Sequence, residues 1–454
     1  MNLEGQIEID VLLTPDGSKH VAITNNRPIH AAQILVGKSI DEALRTIPLL
    51  FHICGKAQGF AAVQALLSAK FQEAPHELPE DIKRIYVGLL LLTDIEMLRE
   101  HMLRIFMDWP ALLAPHINSS DIDTERYEVL YPQIISLGPE FEKALFGSHP
   151  PFSMDTHLDI TEDKLESAFS TLTKLLSSHI LGCTIEKWAT AKPRDIILHW
   201  STKSETLAAR VCHEIIKQKW AGEGEVALNF LPALSAKDCE ELLFPAPAPE
   251  ASFSETDGSM SEISPLPSTP SWNGHPAETT SLSRHIQHGL IMQVVSQCGA
   301  GLLARHFSRL VEIVSVFLRI RKNIHTLLSK GTEAFFPKSI GPNVFQNLLN
   351  RNNRNRPSKH QKNSLNHYTA LQRGVGLVEA SRGLLMHGTL IEGDVIKDYR
   401  ILAPTEWNFH PEGALANSIS NIRGTDACYV KMIAGFLISS IDPCTATKLE
   451  VRHA

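Results

Sequence analysis

Two cysteines at tight turns near opposite ends of the chain place the strongest constraint on its fold. Cys54 lies in FHICGKAQGF, residues 51–60, and is followed by Gly55; Cys444 lies in SIDPCTAT, residues 440–447, and is preceded by Pro443. Glycine permits positive φ, while proline fixes its own φ near −65° and biases the residue before it toward extended backbone. A sulfur at such a turn is presented rather than packed. A fold that uses both sulfurs together must bring positions 54 and 444 to one place. A lone cysteine is ordinarily a small buried apolar residue, and spacing by itself leaves both readings open.

The 454 residues suffice for one large core or for two to three smaller ones. Hydrophobic content of 43% with 20% charged residues is ordinary for a globular protein, and a formal net charge of −7 gives no electrostatic reason for nucleic acid or an anionic membrane as the main partner. The opening MNLEGQIEID has no basic segment followed by an apolar run, and the apolar runs near Val87–Leu92 and Met432–Ile441 are short for a membrane span. With seven scattered cysteines, the expectation is reduced thiols in the cytoplasm.

Residues 5–25 alternate apolar and polar side chains around Pro15, Asp16 and Gly17, which predicts a hairpin with Glu8 and Asp10 on one face. Residues 39–70 read as two helical pieces flanking Gly55 and Gly59, and Ala61, Ala62 and Ala65 would let the second approach a neighbour closely. Helical apolar stripes run over Asp81–Trp109, Leu165–Leu181 and Ser204–Trp220, and the longest helical run over Gly289–Leu328. Cys183, Cys212 and Cys298 fall in or beside these stripes and read as packing residues. Residues 244–281 turn to Pro, Ala, Ser, Glu and Thr, with too few large apolar side chains to offset ordering entropy, and read as a flexible surface loop. The basic stretch RNNRNRPSKHQK, residues 351–362, reads as an exposed loop or as a docking site for an acidic surface.

The cysteine segments resemble the RICGVCP and DPCxxC motifs of the large subunit of nickel-iron hydrogenases, with only the first cysteine of each pair kept: Ala57 and Thr447 stand at the second positions. SWNGHPAETTSLSRH, residues 271–285, is similar to the family's RYxGxPxEvGPLAR segment. VEASRGLLMHGTLIEGDVIKDYRILAPTEWN, residues 378–408, is similar to its EAPRGxLxHW…PTTWN block. The resemblance covers roughly the first 70 residues and the last 190. It implies an α+β fold, a mainly helical large-subunit-like bundle with small β elements, formed by residues 1–454 as a single domain with 244–281 as an insertion loop.

For the site, the resemblance implies Cys54 and Cys444 as metal-binding thiolates, with Arg382 and Thr405 contacting a cyanide ligand and Glu8 aligned with a glutamate proton relay. Arg382 and Thr405 suit that task, since a guanidinium and a hydroxyl donate to an anionic diatomic ligand; apart from the family they read as a salt bridge and a helix cap. Asp10 and Ala61 replace two family histidines, and Glu450 stands at the histidine after which the family's C-terminal extension is cleaved, so no such extension is expected here. With two of four thiolates missing, stable nickel capture and hydrogen turnover are not expected. Two soft thiolates can hold one metal whose other ligands complete its shell, which implies transient holding of an Fe(CN)2CO unit.

The resemblance extends to the HupK/HoxV type of hydrogenase expression and formation proteins. It implies a non-catalytic scaffold that works with a HypC-type chaperone, other hydrogenase maturation proteins and the large-subunit precursor. The competing expectations are a divergent hydrogenase or metal-dependent oxidoreductase using Cys54, Cys444 and a histidine such as His52 or His387, and an interaction protein in which the cysteines are relics.

Overall fold

The computed structural model describes residues 5–28, 31–51, 53–70, 79–115, 124–245, 268–331 and 371–454. The basic stretch 351–362, most of the loop at 244–281, and His52 lie outside the described residues.

Both ends of the chain meet in one small sheet. Strands β1 (Ile7–Leu13) and β2 (Lys19–Asn25) form the predicted hairpin, with Ile9 opposite Ile23. The last strand, Thr447–His453, pairs parallel to β1 on its other edge, placing Ile7 opposite Thr447 and Val11 opposite Val451. Ile7, Ile9 and Val11 face the core, so the pleat turns Glu8 and Asp10 the other way. A parallel partner cannot come from a hairpin and needs a long crossover; here nearly the whole protein is the connection. Cys444, three residues before that strand, is thereby fixed beside the N-terminal hairpin.

The helical body starts with α1 (Ile40–Leu50), whose Ser39 and Glu42 form a reciprocal capping box, and α2 (Gly55–Lys70). Helix α2 has no single apolar stripe. Nearly all of it is buried, including Gln58 and Gln64, because it is packed on more than one side. One neighbour is strand β3 (Gln372–Ala380), which meets it at Gly374 and Gly376. A Cβ at those positions would lie 2.0 Å from Ala65 O and 2.1 Å from Ala61 O. The close approach foreshadowed by Ala61 and Ala65 is thus made to a strand, and it needs glycine there.

Helix α3 (Glu80–Leu103) continues through a π-helical turn at Arg104–Asp108, and packs against α4 (Thr124–Phe146) and α5 (Leu302–Leu328). The predicted run over Gly289–Leu328 is two helices. It breaks after Cys298 at Gly299, whose φ of +78° is foreign to a right-handed helix, and restarts at Leu302. Strands β4 (Gly383–Glu392) and β5 (Val395–Leu402) complete an antiparallel sheet with β3, punctuated by Gly383 and Gly393 as expected. Beyond it come α6 (Pro404–Asn408) and α7 (Ala427–Ile441), then the turn that carries Cys444.

The flexible reading of 244–281 is too broad at its far end. Ala277–Ser281 is buried: Glu278 makes a two-pronged pair with Arg305 at 2.6 and 3.0 Å, and Thr279 N donates to Asn408 Oδ1.

Candidate metal-holding site

Cys54 sits immediately before α2, and its carbonyl accepts the Gln58 N–H at 3.0 Å, so the residue belongs to the first turn. Helix α2 begins against the end of α1, where a Cβ on Gly55 would lie 2.9 Å from Pro48 O. The free N–H groups at this end, on Lys56 and Ala57, donate at 2.8 and 3.0 Å to the buried carboxylate of Glu96 from α3. Glu96 thus caps the turn from another helix, as the exposed donors of an N-terminus require. Ala57 is 1% exposed. Where a second cysteine would project there is a methyl group under a carboxylate-capped backbone.

Cys444 is positioned by its neighbour Asp442. The last turn of α7 ends on Asp442 in the left-handed region, φ +67°, which aspartate tolerates better than most side chains. Arginines from three elements fix it there. Arg104 Nε lies 2.6 Å from Asp442 Oδ1, Arg309 Nη2 3.6 Å from Oδ2, and Arg382 Nε 3.5 Å from Oδ1. Burial would raise the Asp442 pKa; the three guanidiniums overcome it and hold the carboxyl down at about 2. Arg104 also donates to Pro443 O at 2.8 Å, and Arg309 to Ser439 O at 3.0 Å. The DPC turn is therefore held on both sides of the bend.

The two turns meet. Both cysteines lie within electrostatic reach of Arg382, whose guanidinium is buried, donates to Glu100 Oε2 at 3.1 Å, and has its backbone carbonyl gripped by Asn408 Nδ2 at 3.0 Å. Burial opposes the Arg382 charge, but the carboxylates of Asp442 and Glu100 outweigh it and keep the side chain firmly cationic. Thr405 Oγ1, on α6, lies 3.1 Å from Cys444 Sγ. It is not a helix cap, since Ala403 occupies that position. Cys54 keeps a partly exposed surface. Burial, then Glu96 and Cys444, push its thiol up to about 12 against the pull of Arg382 and Gln58, so in the free chain it carries its proton at neutral pH.

Cys54, Cys444, Arg382 and Thr405 thus come together from four segments. Glu8 does not join them. The alternation that buries Ile7 and Ile9 leaves it half-exposed with Asp10, in the field of Lys448 on the neighbouring strand. His387, weighed as a replacement ligand, is 0% exposed with both ring nitrogens engaged, by Tyr399 Oη and Gln58 Oε1, each at 2.8 Å. Among the described residues no three His, Cys, Asp or Glu side chains cluster as a metal site.

Sequence reading missed three participants. Arg27, just past β2, pairs with Glu406 Oε1 at 2.6 Å and lies in the field of both sulfurs, giving the pair a second guanidinium. Glu96 lay inside a helical apolar stripe. Gln58 follows the lost cysteine position, and its Nε2 lies 3.6 Å from Cys54 Sγ. The glutamine beside Ala57 was the visible hint, since a buried amide needs partners. Arg27 offered none, its partner Glu406 lying 379 residues away in the chain.

Two sulfurs, two guanidiniums, a hydroxyl and an amide donor form a donor set that matches a thiophilic metal carrying anionic ligands of its own. Comparison with known proteins leads to the same family of folds. The family described as nickel-dependent hydrogenase matches residues 266–447, a span that includes Arg382, Thr405 and Cys444. The hydrogenase expression/formation protein HoxV of Cupriavidus necator is 27% identical, over 94% of this chain and 92% of its own length. The hydrogenase expression/formation protein HupK of Azotobacter vinelandii is 23% identical over the whole of both chains. Among solved structures, the Ni-Fe-Se hydrogenase of D. vulgaris Hildenborough superposes with a TM-score of 0.55 at 15% identity, covering 94% of each chain, which shows a shared fold.

Proposed function

We propose that this chain, a homologue of the HoxV and HupK hydrogenase expression/formation proteins on a nickel-iron hydrogenase large-subunit-like fold, is a non-catalytic scaffold in hydrogenase maturation. It holds an Fe(CN)2CO unit as passing cargo between Cys54 and Cys444. The observation that carries this reading is the convergence of the two sulfurs with Arg382 and Thr405, while Ala57 and Thr447 leave the two further thiolate positions of the hydrogenase motifs without sulfur.

The residues divide the work. Cys54 and Cys444 supply soft donors. Arg382 and Arg27 balance negative charge: an Fe(II) dicyanide carbonyl with two thiolates carries two net negative charges, which two guanidiniums offset. Thr405 donates a hydrogen bond at the sulfur or to a cyanide nitrogen. Loading requires the proton of Cys54 to leave, and its return favours release, so holding is reversible. Nickel would find half of the hydrogenase thiolates, and turnover of hydrogen is not expected. Among the described residues no helix is long and apolar enough to cross a membrane. The partners implied are a HypC-type chaperone, other maturation proteins and the large-subunit precursor.

The test is maturation in cells. A strain lacking this chain and complemented with Cys54→Ser, Cys444→Ser or both should yield large-subunit precursor without its iron centre, at unchanged levels of the scaffold itself. Full hydrogenase activity with the double variant would remove the thiols from the function and leave a role through protein contacts.

A further inference from the structure

The Cys54 sulfur is the end of a buried polar chain that the metal-holding reading does not by itself require. Gln58 Nε2 lies 3.6 Å from Cys54 Sγ; Gln58 Oε1 lies 2.8 Å from His387 Nε2; His387 Nδ1 lies 2.8 Å from Tyr399 Oη. Gln58, His387 and Tyr399 are all buried, on α2, β4 and β5 respectively. The carbonyl oxygen of Gln58 only accepts, so His387 must carry its proton on Nε2. Burial keeps the ring neutral, pushing its pKa down to about 3, so Nδ1 is bare and accepts from the phenol. The chain then has one direction: Tyr399 donates to His387, His387 to Gln58, and Gln58 to the sulfur. Three buried polar groups in a core are costly unless every one is satisfied, and here they satisfy one another while aiming one N–H at Cys54.

We propose that Gln58, held by His387 and Tyr399, is a positioning residue that keeps an amide hydrogen bond on the Cys54 sulfur, making it a weakened thiolate donor from which a metal exchanges readily. A thiolate that accepts a hydrogen bond has less electron density to give a metal, so the metal–sulfur bond is weaker and departs faster. The amide offers no ligand stronger than the one it weakens. This inference rests on the metal-holding role above and specifies how the hold is loosened.

The test uses the full chain with Co2+ as the probe, loaded without oxygen. Sulfur-to-cobalt charge-transfer absorption reports the bond, and transfer to a chelator in stopped flow reports release. Gln58→Leu removes the donor at similar volume, and should slow release about tenfold, the scale of one charge-assisted hydrogen bond, while strengthening the charge-transfer band. Tyr399→Phe, which leaves the amide and the ring in place, should move both readouts in the same direction and by less.

Independently of metal, 15N-labelled histidine in the free chain should show the His387 proton on Nε2, and Gln58→Leu should redistribute it. Cysteine-dependent cobalt binding with the same release rate and band in wild type and Gln58→Leu would overturn the proposal. So would a proton on Nδ1 of His387 in wild type. If wild type shows the expected tautomer but no charge-transfer band that Cys54→Ser abolishes, the metal-holding role itself is overturned, and the weakening role falls with it.

Discussion

Thr405 Oγ1 lies 3.1 Å from Cys444 Sγ although 38 residues, including all of α7, separate them in the chain. The hydroxyl is therefore a built part of the sulfur's surroundings. Thr405→Val keeps the shape and removes the bond. Global stability should change by less than about 1.5 kcal/mol, the usual worth of one hydrogen bond. Retention of Co2+ in competition with a chelator should rise about tenfold, because the Cys444 sulfur regains the electron density that the hydrogen bond withdrew. Equal retention would place the hydroxyl outside the site's chemistry.

Asp442 holds the DPC turn through three guanidiniums, and removing the anion leaves them facing one another in the interior. Asp442→Asn should cost about 3–5 kcal/mol in urea unfolding. The sign with pH follows from the depressed carboxyl, at about 2 against its usual 3.8. The stabilisation is complete above about pH 4 and is lost as pH falls through 2, an effect of about 2 kcal/mol. The asparagine variant should lose this part of the acid dependence.

Glu96 behaves in the opposite sense. Burial pushes its carboxyl up to about 7, despite the N–H groups of Lys56 and Ala57. The folded chain then binds a proton more tightly than the unfolded chain between about pH 4.5 and 7. Stability contributed by this group falls as pH rises through that window, by about 3 kcal/mol in all. Glu96→Gln should flatten the stability profile there while lowering stability on its acid side little. A wild-type profile flat from pH 5 to 7.5 would contradict the assignment.

Much of this arrangement was legible in advance where it rests on local pattern. The hairpin at residues 7–25, helices over Gly55–Lys70 and Glu80–Leu103, and strands bounded by Gly383 and Gly393 follow from alternation, periodicity and turn chemistry. What pattern could not supply is pairing across the chain. No local pattern announces the strand Thr447–His453, because its partner β1 lies at the opposite end of the sequence. Glu8 was placed at the centre by alignment, whereas the pleat that buries Ile7 turns it outward. Arg27, Glu96 and Gln58 went unnoticed because each earns its role only from a neighbour that the fold delivers.

Arg27 supplies the second cation beside the sulfurs, and its partner Glu406 is buried. Arg27→Gln should cost about 3 kcal/mol by leaving that carboxylate alone. Adding Glu406→Gln should restore most of the stability. The double variant should still hold Co2+ but hold a cyanide-bearing iron unit less well, because charge balance against anionic ligands is lost. Unimpaired holding of both would assign Arg27 to structure only.

The central claim is that Cys54 and Cys444 form one site for iron bearing cyanide and carbonyl ligands. Infrared spectroscopy tests it most directly, on the chain purified without oxygen from cells that express the hydrogenase maturation machinery, with iron and nickel quantified in the same sample. The predicted result is cyanide and carbonyl stretching bands, with iron and no nickel, absent from Cys54→Ser and from Cys444→Ser. Stoichiometric nickel with hydrogen uptake, or bands that persist in both serine variants, would contradict it.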